Sequence, residues 1–206
     1  VYSINDSQMN GENQNQLHTY LSDLIPKHDL VIVSDYGHGL ISEASSKIIC
    51  KNSKYLALNA QVNAANVGFH SMRNYKNVDC VIINETEIRH EMRDKNSKII
   101  ALMQKLSLEQ NISNLVVTRG TKGSVLYNKK DKKFNFCEAY AKTVVDKIGA
   151  GDAMLSIIAL CLKCRFDRDL ALLTGSLAAA QSVETIGNKE AVNKIKILKA
   201  LEHIFK

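Results

Sequence analysis

Short apolar runs alternate along the chain with segments whose apolar residues recur every three or four positions. QNQLHTYLSDLIPKH (14–28) carries Leu17, Leu21, Leu24 and Ile25 at helical spacing, which predicts an amphipathic helix. DLVIVSD (29–35) follows as a continuous apolar run, the pattern of a strand covered on both faces. SEASSKIICKN (42–52) opens on a serine suited to cap a helix, and KYLALNA (54–60) and VDCVIIN (78–84) read as the next strands. ETEIRHEMRD (85–94) and SKIIALMQKLSLEQ (97–110) read as helices and NLVVTRG (114–120) as a further strand. The pattern then changes. GSVLYNKKDKKFNFCEA (123–139) is a pair of alternating runs around a charged turn, a hairpin signal. Three helical segments follow: GAGDAMLSIIALCLKC (149–164), DRDLALLTGSLAAAQSVETIG (167–187) and NKEAVNKIKILKALEHIF (188–205). Strand and helix in alternation, with strands of the buried type, predict an α/β fold: a mostly parallel central sheet with helices on both faces. Ligands in such sheets bind at the carboxyl ends of the strands.

Composition narrows the picture without naming a function. The 206 residues, 45% apolar and 23% charged, suit one soluble domain, and no internal repeat, linker or second proline besides Pro26 divides them. The longest apolar candidate, residues 154–162, is far too short to cross a bilayer, and the polar first residues do not form a signal peptide. A cytoplasmic location is the default expectation, and a chain beginning at Val1 is expected to belong to a longer polypeptide. The net charge of +6 permits an anionic partner. Lysines cluster only in NKKDKK (128–133), read as a hairpin tip, and NKIKILK (193–199), read as the solvated face of a helix. Aromatic residues are few and not interleaved with the basic ones, so no nucleic-acid platform is expected. The five cysteines and six histidines show no metal-ligand spacing; CLKC (161–164), at the end of an apolar helix, reads as core packing.

Four strand ends carry chemistry. They are SDYGHGLIS (34–42), NETE (84–87), TRGTKGS (118–124) and VVDKIGAGD (144–152). A lone TRGTKG is compatible with a plain turn; four polar, glycine-rich strand ends in one chain are hard to explain by turns alone. They suggest phosphoryl transfer, because backbone N–H groups at a helix N-terminus can hold a phosphoryl group as its charge spreads. Asp152, beside Gly149, Ala150 and Gly151, stands where a carboxylate could accept the proton of an attacking hydroxyl. It could equally be an acidic residue stabilising the first turn of a helix, and spacing alone does not separate the two.

These residues also carry a resemblance. DKIGAGDAMLS (146–156) resembles the second signature of the ribokinase/PfkB sugar kinases, NETE their N-x-x-E motif, and VVTRGTKGS their nucleotide-binding turn. VSDYGHGLIS looks like a strand end of the heptose-phosphate kinases within that family. The four matches lie in the family's order. The resemblance implies a ribokinase-like fold and an ATP- and Mg2+-dependent transfer of phosphate to a sugar or sugar-phosphate hydroxyl. Carried over by position, it makes Asp152 the base and Gly149, Ala150 and Gly151 the anion hole. Asn84 and Glu87 would organise Mg2+ and phosphates, the glutamate through water. Thr118, Gly120 and Gly123 would approach the nucleotide. Asp146 and the backbone of Ile148 would match the monovalent-cation (K+) loop of some members.

The departures are specific. Lys147 replaces a small or hydroxyl residue beside the cation loop, and Ser176 stands where many members place an asparagine near adenine. LNAQVNAAN (58–66) replaces the DPK of heptose-phosphate kinases; its amides Asn59, Gln61, Asn63 and Asn66 fit another acceptor or simply a polar loop. Nothing before residue 30 resembles the family's sugar-binding strands and lid. Residues 1–206 are therefore expected to be the nucleotide-binding, C-terminal portion of a kinase domain, with the N-terminal sugar-lid part missing. An apolar sheet edge or face should then be exposed, inviting self-association, for example as a homodimer. Two rival functions stay open: a non-catalytic nucleotide-binding module of a larger sugar-nucleotide protein, and an α/β domain binding another phosphorylated metabolite.

Overall fold

The computed structural model describes residue 9 and residues 11–61, 71–141, 143–184, 186 and 190–206. Its centre is a six-stranded sheet of β1 (Val31–Asp35), β2 (Leu56–Ala60), β3 (Cys80–Asn84), β4 (Asn114–Thr118), β5 (Ser124–Asn128) and β6 (Lys133–Cys137), arranged side by side in that order. The first four strands are parallel, and β5 and β6 form an antiparallel hairpin on the edge of β4. The predicted α/β architecture, a mostly parallel sheet with helices on both faces, is the one observed.

The two faces are built from alternate residues of the same strands, as the pleat requires. Val33, Leu56, Leu58, Val81, Ile83, Leu115, Val117 and Val125 form one apolar layer with residues of α2 (Glu43–Asn52), α3 (Glu85–Met92) and α4 (Ile99–Gln110). Ala57, Cys80, Ile82, Val116 and Leu126 point the other way, against Met154, Leu155, Ile158 and Ala159 of α5 (Ala150–Lys163) and Leu172 of α6 (Arg168–Val183). Burial on both faces explains the apolar runs of β2 to β5, whereas β1, expected to be covered on both faces, is exposed at Ile32 and Ser34, since it lies at the end of the strand order. α1 (Gly11–Leu24) packs on α2, and α7 (Lys194–Ile204) on α6. Close helix packing fixes Gly175: a Cβ there would lie 2.3 Å from the Ile158 side chain.

Helix ends differ from the periodicity where side chains or neighbouring backbone intervene. The first helix gives way at Leu24 to a 3-10 turn containing Pro26. α6 stops at Val183, whose carbonyl accepts the N–H groups of Val145 and Asp146. α7 begins at Lys194, where Asn193 caps the N–H groups of Ile195 and Lys196. CLKC divides: Cys161 is buried, as core packing requires, whereas Cys164 at the helix end is exposed. Among the described residues no helix is long and apolar enough to cross a membrane.

β1 pairs only with β2 among the described strands, and Ile32 on it is 42% exposed.

Candidate active site

Every parallel strand ends on the same side of the sheet, and the loaded ends meet in a cleft of about 980 Å3. Tyr36, Asn59, Asn84, Thr118, Gly120 and Asp152 line it, as do Gly149, Ala150, Gly151 and Ser176. The volume lies in the range of small-molecule sites. A buried network holds the end of β1. The Asp35 carboxylate, 5% exposed, accepts from the Tyr75 hydroxyl at 2.6 Å and the Gly37 N–H at 2.9 Å. Gly37 and Gly39 take positive φ, so the chain turns sharply after the strand and carries Tyr36 over the cleft.

α5 enters the cleft by its N-terminus. Gly149 is its N-cap, at φ 81°, and no side chain caps the helix. The first intrahelical bond runs from the Ala153 N–H to the Gly149 carbonyl, so the amides of Ala150, Gly151 and Asp152 precede the hydrogen-bond ladder. Gly151 has an ordinary φ, and a Cβ on it would meet only the Asn59 amide nitrogen, at 3.4 Å. The fold does not demand glycine there. Asn59 is 4% exposed, and its Oδ1 has no hydrogen-bond partner.

The Asp152 carboxylate is held at both oxygens from across the sheet. The Ser34 hydroxyl donates to Oδ1 at 2.6 Å and the Tyr36 hydroxyl to Oδ2 at 2.9 Å. The Ser34 hydrogen bond draws the Tyr36 phenol down, but burial and the Asp152 charge outweigh it and leave the phenol above its ordinary range.

Asn84 and Glu87 form a capping box on α3. The Asn84 Oδ1 accepts the Glu87 N–H and the Glu87 Oε2 accepts the Asn84 N–H, each at 2.8 Å. Asn84 sits in register with Thr118 on the neighbouring strand. Behind them, Glu85 receives Arg89 at 2.8 Å and Arg119 at 3.3 Å. The Arg89 hydrogen bond, aided by Arg119, holds the Glu85 carboxyl below its usual value despite partial burial.

The turn after β4 is closed by its own backbone, with the Gly123 N–H on the Gly120 carbonyl and the Arg119 N–H on the Gly123 carbonyl. The glycines differ in what they permit. A Cβ on Gly123 would lie 2.0 Å from the Cys137 carbonyl oxygen, so strand packing alone requires glycine. A Cβ on Gly120 would meet nothing within 4 Å, although its φ of 58° favours glycine. Ser176, 9% exposed, contacts the Ser124 hydroxyl at 3.1 Å at the back of the cleft. Asp146 accepts the Ile148 N–H at 3.0 Å, which turns the chain into Gly149.

The structure thus gathers the anticipated residues around one cleft, except Asp146, which does not line it but precedes Lys147 and Ile148, which do. The predicted amides divide: Asn59 and Gln61 line the cleft, while Asn63 and Asn66 lie outside the described residues. Sequence spacing missed the bonds of Ser34 and Tyr36 to Asp152, which join positions more than a hundred residues apart. The one available signal was Ser34 itself, a hydroxyl near the end of an apolar run. The Glu85–Arg89–Arg119 cluster also passed unnoticed.

Comparison with known proteins agrees with the fold. Bifunctional protein HldE of Campylobacter curvus is 27% identical over 181 residues, covering 86% of this chain and 37% of the relative. An uncharacterized sugar kinase of Buchnera aphidicola is 24% identical over 177 residues, covering 85% of this chain and 54% of the relative. The chain thus spans between about a third and a half of these relatives' length. Phosphofructokinase-2 of Escherichia coli, solved in complex with potassium, superposes with a TM-score of 0.78 at 12% identity, over 97% of this chain and 64% of that one. Ribokinase of Arabidopsis thaliana, complexed with ribose and ATP, gives 0.66 at 18% identity, over 95% and 60%. Residues 3–195 match the pfkB family carbohydrate kinase profile, and the chain belongs to that family.

Proposed function

We propose that this chain is the nucleotide-binding, C-terminal portion of an ATP-dependent carbohydrate kinase that transfers the γ-phosphate to a hydroxyl of a sugar or sugar phosphate. The observation that carries the reading is the meeting of an uncapped helix N-terminus and a carboxylate in its first turn, at the carboxyl ends of parallel strands. Asp152 takes the proton of the acceptor hydroxyl. The amides of Ala150 and Gly151, freed by the left-handed turn at Gly149, stabilise charge on the transferring group.

The cleft fits a nucleotide in two particulars: neither Gly151 nor Gly120 has its missing side chain replaced by a close protein neighbour. Thr118, Gly120 and the turn that Gly123 closes would lie along the phosphates and ribose, with Ser176 toward the base. Glu87, exposed in part beside Asn84, would hold Mg2+ through water. Bound Mg2+ would neutralise phosphate charge. Asp146 and the Ile148 backbone would form a K+ loop, with Lys147 as competitor for that charge. The resemblance of VSDYGHGLIS to a strand end of heptose-phosphate kinases supports a sugar-phosphate acceptor, and the greater length of the curated relatives supports a longer polypeptide.

Lys147 favours a second reading, a nucleotide-binding module that has lost transfer. Calorimetry with ATP, with and without Mg2+, followed by Asp152→Asn in the complete protein, separates them. A kinase loses turnover by about 10²–10⁴-fold, the scale of general-base loss, with ATP affinity nearly unchanged. Near-normal turnover in the variant returns Asp152 to a helix-stabilising role, and a chain that binds no nucleotide overturns both readings.

A further inference from the structure

Both oxygens of Asp152 already accept a hydroxyl, and the two donors are held differently. Ser34 lies within β1, paired in register with Asn59 of β2. Tyr36 lies beyond the strand, 46% exposed, immediately before a turn with Gly37 and Gly39 at positive φ. Its bond is the longer, 2.9 Å against 2.6 Å. An acceptor hydroxyl delivering its proton to Asp152 must itself donate a hydrogen bond to one of these oxygens.

We infer that Tyr36 is a positioning residue that occupies Oδ2 of Asp152 until the acceptor hydroxyl displaces it, while Ser34 keeps the carboxylate aimed, so that Asp152 is withheld from water when no acceptor is bound. This rests on the reading of Asp152 as the base. The exchange replaces one hydroxyl donor by another, so no charge is stranded during it. The exposed phenol, on a long side chain ahead of a glycine turn, can swing outward, whereas the Ser34 hydroxyl is carried one carbon from a backbone paired in the β1–β2 ladder. With Oδ2 open and no acceptor bound, a water would take the vacated place. Its oxygen would bond to the γ-phosphorus and its proton would pass to Oδ2. The bond from the γ-phosphorus to the bridging oxygen would break with its electron pair left on ADP, releasing inorganic phosphate.

The test uses the 206-residue chain, MgATP and no acceptor, with ADP release measured beside calorimetric ATP affinity. Tyr36→Phe removes one exposed hydroxyl and leaves the core intact. It should raise acceptor-independent ADP release about tenfold, the factor carried by one hydrogen bond to a charged group, with ATP affinity unchanged. Adding Asp152→Asn should abolish the gain. A Tyr36→Phe chain that binds ATP normally but releases ADP no faster overturns the inference alone, as does a gain that survives Asp152→Asn. A chain that binds no ATP overturns the kinase reading and this inference with it.

Discussion

An alanine at position 151 would meet only the Asn59 amide, with its Cβ at 3.4 Å, which is ordinary van der Waals contact. Gly151 has no positive φ and stands at the second position of α5. Glycine costs about 0.5–1 kcal/mol relative to alanine within a helix, and a first-turn site should show the lower part of that range. Gly151→Ala should therefore stabilise the fold by about 0.5 kcal/mol, or roughly 1–2 °C in Tm for a domain of this size. The same methyl would stand beside the amides assigned to the phosphoryl group. If those amides act as proposed, turnover in the complete protein should fall by about 10²–10³-fold, the scale of losing one preorganised donor. Urea unfolding and a coupled ADP-release assay on the one variant give both numbers. A destabilised protein would show that the fold requires the glycine after all. Unchanged turnover in a stabilised protein would refute the anion-hole assignment.

Gly123→Ala should behave in the opposite manner, losing at least about 2–3 kcal/mol in urea unfolding, because its Cβ would lie 2.0 Å from the Cys137 carbonyl oxygen at φ 76°. In a chain labelled with 13Cζ-tyrosine, Asp152→Asn should lower the raised Tyr36 phenol pKa, since the neighbouring charge that disfavours phenolate is gone; an unmoved titration would deny the contact. Glu85, held below its unfolded value of 4.5 chiefly by Arg89, contributes stability at neutral pH that is lost as pH falls from 4.5 through the lower folded value. Glu85→Gln should thus cost about 1 kcal/mol or less at pH 7, with the gap to the parent closing below pH 4.5 in urea titrations. The 206-residue chain should bind nucleotide yet transfer negligibly to sugars, whereas a chain extended upstream should transfer; strong sugar-dependent ATP consumption by the shorter one would place the acceptor site within it.

The inner sheet was legible because β2 and β3 are buried on both faces, so that LALNA and CVIIN announce themselves as runs, whereas VIVSD forms its strand with Ile32 and Ser34 exposed. The hairpin was legible because its tip is charged. Helix ends were less so: Val183 is stopped by the backbone of residues 145 and 146, a tertiary bond that no local periodicity encodes. Within the cleft, Gly149, Gly151 and Asp152 stood out as small residues at a strand-to-helix junction. Ser34 and Tyr36 did not, because their meaning lies in a carboxylate reached only after the whole sheet is laid down. Gly123 was visible for a reason the structure revises, since its closest demand comes from the Cys137 carbonyl.

Asn84 and Glu87 carry an obligation that Gly151 does not. Their reciprocal bonds close the first turn of α3, and the three-residue interval between them is the N-cap to N3 spacing of a capping box. A descendant that abandoned catalysis would still weaken the start of α3 by about 0.5–2 kcal/mol if it lost either residue, so selection for folding alone would tend to preserve the pair. Gly151 has no such protection, because alanine there would improve the helix. Under relaxed selection the glycine should drift first while the Asn-x-x-Glu spacing endures. Among divergent relatives, the small residue before the aspartate is therefore the better witness to surviving chemistry.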